Sequence, residues 1–565
     1  MDHKDFASYF RSMDTLWQAS LARWTLGISP AGASGAFYAW ASHLAQAPGK
    51  MMEIALYPAL HTQNFVHRMS CVRGESCAAD PRFKSVSWDS WPWRLYAEGF
   101  LHMEDWWKLA TTDIPGLSEH QERIVSFAAR QVMDALCPAN FPATNPDLAR
   151  ATLNSGGQNL WRGAQNVYHD LQHMLNGEQS AEERKFVVGK NLAVTPGEVV
   201  FRNNLIELIR YTAQTNVVNK EPVLILPAWI MKYYILDLSP ENSLVRWLMA
   251  QGHTVFMVSW KNPGAEDRDL GMDDYYRLGA MAAIDEVERE FPATKIHLTG
   301  YCLGGTLALL TAAAMAENKD DRLKSLSLFA AQGDFTEAGE LELFITHSEV
   351  AFLKNVMAVQ GYLDTKQMAG AFQMLRSYDL IWSKAVSDYL EGRRRDTYDL
   401  TAWNADATRM PCRMHGEYLD KLFLHNDFEE GRFKVEGRAV SPEDIRVPVF
   451  AVGTEKDHVA PWQSVYKIHW MVHGNVTFVL TVGGHNAGIV SEPGHPDRSY
   501  RIQERKQNAP YADPERWLVE AQSREGSWWE AWDVWLKHHS DKKRIRPPVV
   551  ANSLGPAPGT YVLQK

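Results

Sequence analysis

Cysteine is scarce in this chain. Cys71, Cys77, Cys137, Cys302 and Cys412 are the only five in 565 residues. Their odd number and wide spacing suit neither a disulfide framework nor paired CxxC zinc ligands, so a reducing compartment, the cytoplasm, is expected. Long apolar runs are missing too: none reaches 18 residues, so no membrane span is expected. The start, MDHKDFASYF, has no basic stretch followed by an apolar one, so no signal peptide is expected. Excess positive charge is absent. A formal net charge of −10 argues against broad nucleic-acid or anionic-membrane binding, though a local basic pocket for a phosphorylated ligand is compatible with it. The phosphate-cradling glycine patterns are missing as well, since SPAGASGAF carries only two loosely spaced glycines. His469 and His473 stand four apart in KIHWMVHG, but no third ligand accompanies them, so no metal and no cofactor are expected.

What is present is globular in kind. Apolar residues make up 45% and charged residues 22%, close to ordinary soluble domains, and 565 residues exceed what one core organises. Tryptophan is abundant at 21 residues, some adjacent or nearly so (Trp91 and Trp93, Trp106 and Trp107, Trp528 and Trp529), which suits core packing or contact with an apolar ligand or surface.

Residues 1–190 read as a mainly helical N-terminal domain, with Phe6, Tyr9, Phe10, Met13, Leu16 and Trp17 at helix spacing. After the charge run in SAEERKFVVG the pattern changes. EVVFRNNLIELIRY (198–211) reads as a hairpin, followed by the apolar runs PVLILPAW, TVFMVSW, KIHLTGYC, LSLFAA, VPVFAVG and VTFVLTV. Most are apolar throughout, as strands buried on both faces are, and helical stretches alternate with them. An α/β fold with a mostly parallel sheet is therefore expected over 191–565. Between the runs near 331 and 447 no buried strand is visible, so a helical cap is expected at about 335–445. The last stretch, RIRPPVVANSLGPAPGTYVLQK, is proline-rich and expected to be extended.

HLTGYCLGGTLALL (297–310) carries the chemistry. Cys302 follows a buried strand, precedes a small-residue helix and is flanked by Gly300, Gly304 and Gly305. That is the setting of the nucleophile elbow of α/β-hydrolases. A helix N-terminus lowers a thiol pKa and steadies an oxyanion, and the N–H of Leu303 is a candidate oxyanion donor. In that fold the acid and the histidine follow at the ends of the last two strands. AVGTEKDHVAPW offers Asp457 and LTVGGHNAGIV offers His485. Asp334 is a rival acid and His458 a rival base. The second oxyanion donor is expected near Trp229 or Ile230, after PVLILP, with Asp237 close enough to shape the substrate site or, alternatively, to cap a turn.

GYCLGG, EKDHVAPW and GGHNAG resemble the active-site motifs of the polyhydroxyalkanoate synthases. So do FPATNPDLARATLNSGGQNL, the long 229–263 stretch and the closing PAPGTYV, and the resemblance spans roughly 80–565. The length and GYCLGG are most like the single-subunit class I form, while Pro227-Ala228 and Met231 depart from the usual pattern. The resemblance implies an α/β-hydrolase fold with a helical cap. It implies an acyltransferase that polymerises (R)-3-hydroxyacyl units from coenzyme A thioesters into a storage polyester through a cysteine acyl-enzyme. Cys302, Asp457 and His485 would be nucleophile, acid and base. It further implies a homodimer on a cytoplasmic polyester granule, with the N-terminal region aiding attachment. Arg376, in GAFQMLRSYDLIW, is a candidate contact for a coenzyme A phosphate, and Trp403 a cap or interface residue or a core one. A cysteine-dependent polyester depolymerase or thioesterase would share the same elbow. A silent scaffold at the granule surface is the remaining alternative.

Overall fold

The computed structural model describes residues 3–22, 25, 28–70, 80–176, 185–394, 397–507, 509–550 and 552–565. Cys71, Cys77 and the charged residues 182–184 lie outside the described residues. The chain forms two compact units. One comprises 1–24, 185–368 and 397–565, the other 25–184 and 369–396. Two segments thus join a unit other than their sequence neighbours': the first helix, and residues 369–396 from within the stretch expected as a cap.

The first unit is organised by a ten-stranded sheet. Its strands are β1 (Gly197–Arg202), β2 (Ile206–Tyr211), β3 (Val223–Leu226), β4 (Val255–Trp260), β5 (Ile296–Tyr301), β6 (Leu323–Phe329), β7 (Val449–Thr454), β8 (Val476–Thr481), β9 (Ser499–Arg505) and β10 (Gln522–Glu525). The spatial order is β1-β2-β4-β3-β5-β6-β7-β8-β9-β10. From β4 to β8 every pairing is parallel, and the pairs beyond are antiparallel at both edges. Every residue of β3, β4, β5, β7 and β8 is buried, which explains their unbroken apolar sequences. The β1–β2 turn is set by Asn203, whose Oδ1 accepts from the N–H groups of Leu205 and Ile206 at 2.8 and 2.9 Å. Strands β9 and β10 were not expected from sequence. QSRE is fully exposed and polar because it forms the sheet edge, where charge discourages pairing with other chains, and SYRIQER, paired on both sides, is only partly buried.

The helix Leu303–Glu317 is buried from Leu303 to Met315 and sits in the apolar core on one sheet face. The helix Trp528–His539 covers the other face with Trp528, Trp529, Trp532 and Trp535. Between β6 and β7 the helix His347–Gln360 starts on a Thr346 cap (3.1 Å to Glu349 N–H) and ends at Gly361, where φ is +88°. The first helix, His3–Ala22, lies on it through Thr15, Gln18 and Ala22, leaving Phe10, Met13, Leu16 and Trp17 exposed.

The second unit is mostly helical. Helices Trp93–Thr111 and Glu119–Leu136, the latter opened by a Ser118–Gln121 capping box, enclose Phe83, Trp88, Phe100, Met133 and Cys137. Segment 369–396 is fastened to this unit by polar contacts. Ser377 Oγ donates to Asp134 at 2.6 Å, Asn159 Nδ2 to the Leu390 carbonyl at 2.8 Å, and Arg394 to Asp170 at 2.7 Å. Among the described residues, no helix is long and apolar enough to cross a membrane.

Candidate active site

The site is built where parallel strands end and helices begin. Cys302 stands between β5 and the helix Leu303–Glu317 with φ +52° and ψ −125°. A non-glycine residue held there stores on the order of 1–3 kcal/mol, and such strain gathers at functional sites. Hydrogen bonds fix the turn: Cys302 N–H donates to the Phe329 carbonyl at 2.8 Å, and the Cys302 carbonyl accepts from Gly305 N–H at 2.8 Å. The neighbours must be small. A Cβ on Gly300 would strike the backbone of Gly304 and Gly305, and one on Gly304 the carbonyls of Leu226 and Pro227. Cys302 is half-buried and packs against the cores on both faces of the sheet.

Asp457 follows β7 and His485 follows β8. Asp457 Oδ1 accepts from the N–H groups of Val459 and Ala460 at 2.9 and 2.8 Å. Its Oδ2 accepts from Thr454 Oγ1 at 3.0 Å and from His485 Nδ1 at 2.8 Å. Burial alone would raise the carboxyl pKa. The facing imidazole and these N–H groups outweigh it and hold the carboxyl below its ordinary value. For His485 burial pulls the pKa down, but the Asp457 carboxylate and the Cys302 sulfur lift it well above the ordinary value. With Nδ1 donating to Asp457, the other ring nitrogen is left to serve the Cys302 sulfur. The structure thus brings Cys302, His485 and Asp457 into one chain of contacts.

Several of their supports carry no sequence motif. Tyr301 packs with its ring tilted at 5.7 Å from the His485 ring and donates to Asn486 Oδ1 at 2.6 Å. The loop bearing His485 hangs on indoles: Trp528 Nε1 donates to the Gly488 carbonyl at 3.0 Å and Trp529 Nε1 to that of Ile489 at 2.9 Å. Tyr418, from the stretch between β6 and β7, packs edge-on to Trp229 at 6.0 Å. Burial first, and then negative charge on Cys302, push its phenol well up, so it remains an O–H donor beside the thiol. Alternating strands announce themselves by local pattern, whereas these contacts join residues far apart in the chain.

The other expected residues fall as follows. Leu303 opens its helix, so its N–H has no acceptor one turn earlier. Trp229 and Ile230 lie in the loop after β3. Their carbonyls accept from the Thr408 hydroxyl and N–H respectively, and among the described residues neither N–H has a partner. Asp237 is fully buried, with Oδ1 accepting from Ser243 at 2.7 Å and Thr195 at 2.5 Å. Burial raises its pKa against those bonds, and the carboxylate ties residue 195 to the turn at 233–237. Arg376 is exposed in the helical unit and paired with Asp379. Asp334 is engaged by Lys467 at 3.2 Å and by Asn426 at 3.1 Å, and His458 is exposed. Trp403 is buried and donates to the Lys232 carbonyl at 2.7 Å.

Comparison with known proteins places the chain in a family and a fold. Residues 79–248 match the poly-beta-hydroxybutyrate polymerase (PhaC) N-terminus family, 8–50 the poly-beta-hydroxybutyrate polymerase N-terminal family, and 221–491 the alpha/beta hydrolase fold. The chain therefore has the expected α/β-hydrolase fold after its mainly helical region. It is 40% identical over 494 residues to the poly(3-hydroxyalkanoate) polymerase of Methylorubrum extorquens, covering 86% of this chain and 81% of that one. With the poly(3-hydroxyalkanoate) polymerase subunit PhaC of Rhizobium meliloti it shares 38% over 490 residues (86% and 79% covered). With that of Cupriavidus necator it shares 36% over 502 residues (86% and 83%).

Proposed function

The chain belongs to the poly(3-hydroxyalkanoate) polymerase family, and from that premise we propose that it is an acyltransferase that makes polyester from (R)-3-hydroxyacyl coenzyme A thioesters through an acyl-enzyme on Cys302. The observation that carries the mechanism is the strained Cys302 backbone beside a His485 that is ion-paired to Asp457.

Each residue type suits its step. His485 takes the thiol proton, and the sulfur attacks the thioester carbonyl. The tetrahedral oxyanion is met by the N–H of Leu303 and one of Trp229 or Ile230. Collapse breaks the carbon–sulfur bond to coenzyme A, whose thiolate takes the proton back from His485. Exchange of one thioester for another is nearly isoenergetic, so the acyl group stays activated, whereas a serine ester would be a poorer donor. A hydroxyl, from a second monomer unit or from the end of the chain, then gives its proton to His485 and attacks the acyl-cysteine. An ester forms and the Cys302 thiol is regenerated. Asp457 holds the imidazole and stabilises its cation. Water must be kept out at this stage, and the aromatic wall of Trp229, Tyr275 and Tyr418 suits that task. We carry forward, as part of the same proposal, a homodimer at a cytoplasmic granule surface and Arg376 as a coenzyme A phosphate contact.

The test is purified protein with 3-hydroxybutyryl-coenzyme A, following thiol release and product mass beside Cys302→Ser. Thiol release with insoluble polyester, lost in the variant, is expected. Thiol release with only free 3-hydroxybutyrate would make the protein a thioesterase and overturn the polymerising reading.

A further inference from the structure

The loop after β3 is gripped from two sides. Residues 403–409 hold one side. Beyond the bonds to the Trp229 and Ile230 carbonyls already described, Lys232 N–H donates to the Asp406 carbonyl at 3.4 Å. The other side is held by residues 560–565, which sequence composition left as an extended tail. Lys232 is buried, and its ammonium donates to the main-chain carbonyls of Gln564 at 2.8 Å and Tyr561 at 3.4 Å. Gln564 Oε1 accepts from Asn262 N–H at 2.9 Å, and Asn262 Oδ1 accepts from Arg409 N–H at 2.9 Å. The Arg409 guanidinium returns to the Lys565 carbonyl at 2.5 Å, so the contacts close a ring around the loop.

The segment is itself fixed to the sheet. Glu207 on β2 accepts from Thr560 N–H, Thr560 Oγ1 and Tyr561 N–H at 2.8, 2.7 and 2.9 Å. Tyr561 Oη donates to the Asn203 carbonyl at 2.6 Å, and Val562 is buried. A buried ammonium whose donors go to carbonyls is a demanding arrangement, because desolvation disfavours the charge. Burial takes the Lys232 amine down to about 8, with Asp406 opposing and Lys565 and Arg409 adding to the fall. A methionine of similar length would meet the packing need of this position without that penalty. The lysine therefore has a task that needs its donors, and the residues it ties down are the loop bearing Trp229 and Ile230.

We propose that Lys232 and segment 560–565 are positioning elements that hold the Trp229 and Ile230 N–H groups at a fixed distance from the Cys302 sulfur. This rests on the acyl-transfer reading above. With Thr408 on the two carbonyls and segment 560–565 on Lys232, the loop can neither flip a peptide nor retreat. Loss of one oxyanion donor lowers kcat by about 10²–10³-fold, and an error of about 1 Å in placing a group lowers rate by about 10²-fold.

The test separates acyl transfer from simple alkylation of Cys302. Iodoacetamide reacts by displacement at carbon with no tetrahedral oxyanion, so its rate reports the thiol and His485 alone. Lys232→Met and a chain ending at Gly559 are compared with wild type for thiol release from 3-hydroxybutyryl-coenzyme A and for iodoacetamide labelling of the Cys302 peptide by mass spectrometry. Expected is a kcat lowered about 10²-fold with KM little changed, labelling within about twofold of wild type, and partial recovery of the shortened chain by the peptide TYVLQK. Unchanged kcat in both variants overturns the positioning role. An equal fall in labelling and kcat also overturns it, since that is general loosening of the site. Should the shortened chain not fold, Gln564→Ala, which removes only the bond to Asn262 N–H, carries the test: a several-fold loss of kcat is expected, and none refutes. Wild type that labels at Cys302 but releases no thiol overturns the acyl-transfer reading instead, so the two failures are distinguishable.

Discussion

Gly304→Ala is the sharpest probe of how the elbow and the loop after β3 are fitted together. An ideal Cβ there would lie 2.5 Å from the Pro227 carbonyl oxygen and 2.6 Å from its carbon, and it would overlap the Leu226 carbonyl outright. Side-chain carbons essentially never come within 3.0 Å of such atoms, and the Leu226 carbonyl oxygen would lie at 2.1 Å, so one methyl must drive the Leu226–Pro227 backbone away by about 0.9 Å. Backbone cannot rotate aside as a long side chain can. The Pro227 carbonyl also holds Trp260 Nε1 at 2.9 Å, so the retreat strains a second contact. Overpacking of this kind destabilises by about 1–3 kcal/mol. The moved residues lead directly into Trp229 and Ile230, so acyl transfer should fall by roughly 10²-fold, beyond what the loss of stability explains. Urea unfolding and thiol release from 3-hydroxybutyryl-coenzyme A measure the two effects. The control is Gly99→Ala, inside the helix Trp93–Thr111 with nothing within 4 Å, where the methyl should stabilise by about 0.5–1 kcal/mol and leave activity alone. A Gly304→Ala protein as stable and as active as wild type would refute both the tight elbow and the part given to the loop after β3.

Other outcomes follow from the same geometry. His485→Ala should lower kcat by about 10²–10⁴-fold, read as thiol release, and a loss under tenfold would contradict its role as base. Three buried histidines govern acid stability. Burial, chiefly, takes His297, His415 and His469 each down to about 3. Their folded values lie below the unfolded value of about 6.5, so the unfolded chain binds the extra protons and stability falls as pH drops below that value. Together they should contribute a slope of about 4 kcal/mol per pH unit between about pH 6 and 4. Urea unfolding across that range checks it, and His415→Gln should remove about a third of the contribution; a flat profile would sink the idea. The Asp457–His485 pair has the opposite limits. The lowered Asp457 pKa adds stability above its ordinary value that is lost as pH falls through the folded one, and the raised His485 pKa adds stability below about 6.5 that is lost as pH rises through its folded value. The stability gap between wild type and Asp457→Asn should therefore be widest between those limits, and a gap independent of pH would argue against the pairing. Trp528→Phe leaves the buried Gly488 carbonyl without its indole donor, which should destabilise by about 1–3 kcal/mol and lower kcat through a looser His485 loop; unchanged kcat would show that the loop does not need the indole.

What could be read from sequence was what depends on neighbours in the chain. The buried strands reveal themselves by unbroken apolar runs, and the elbow by Gly300, Gly304 and Gly305 around Cys302. Asp457 and His485 stand in turns just after such runs, the second flanked by Gly483, Gly484 and Gly488. Choosing Asp457 over Asp334 used strand order, and the physical reason is visible only in three dimensions, where Lys467 and Asn426 occupy Asp334. Strand β10 escaped because, at the sheet edge, QSRE is polar throughout, and β9 because Tyr500 and Ile502 are its only apolar residues. The allegiance of 369–396 escaped because it is decided by single contacts such as Asn159 with the Leu390 carbonyl. Asp237 shows the same limit: its neighbourhood suggests a site-shaping or turn-capping residue, while in the fold it is fully buried and bonded to Thr195 and Ser243.

The indoles behind His485 also order events during synthesis of the protein. Cys302 is made before the histidine loop, and the helix that supplies Trp528 and Trp529 is made later still. Until those indoles arrive, the carbonyls of Gly488 and Ile489 lack their indole donors, and His485 is held by Asp457 and Tyr301 without the support behind its loop. The histidine loop therefore gains its last support from a helix made after the cysteine, the acid and the histidine themselves, so the site is completed from the C-terminal side of the sheet.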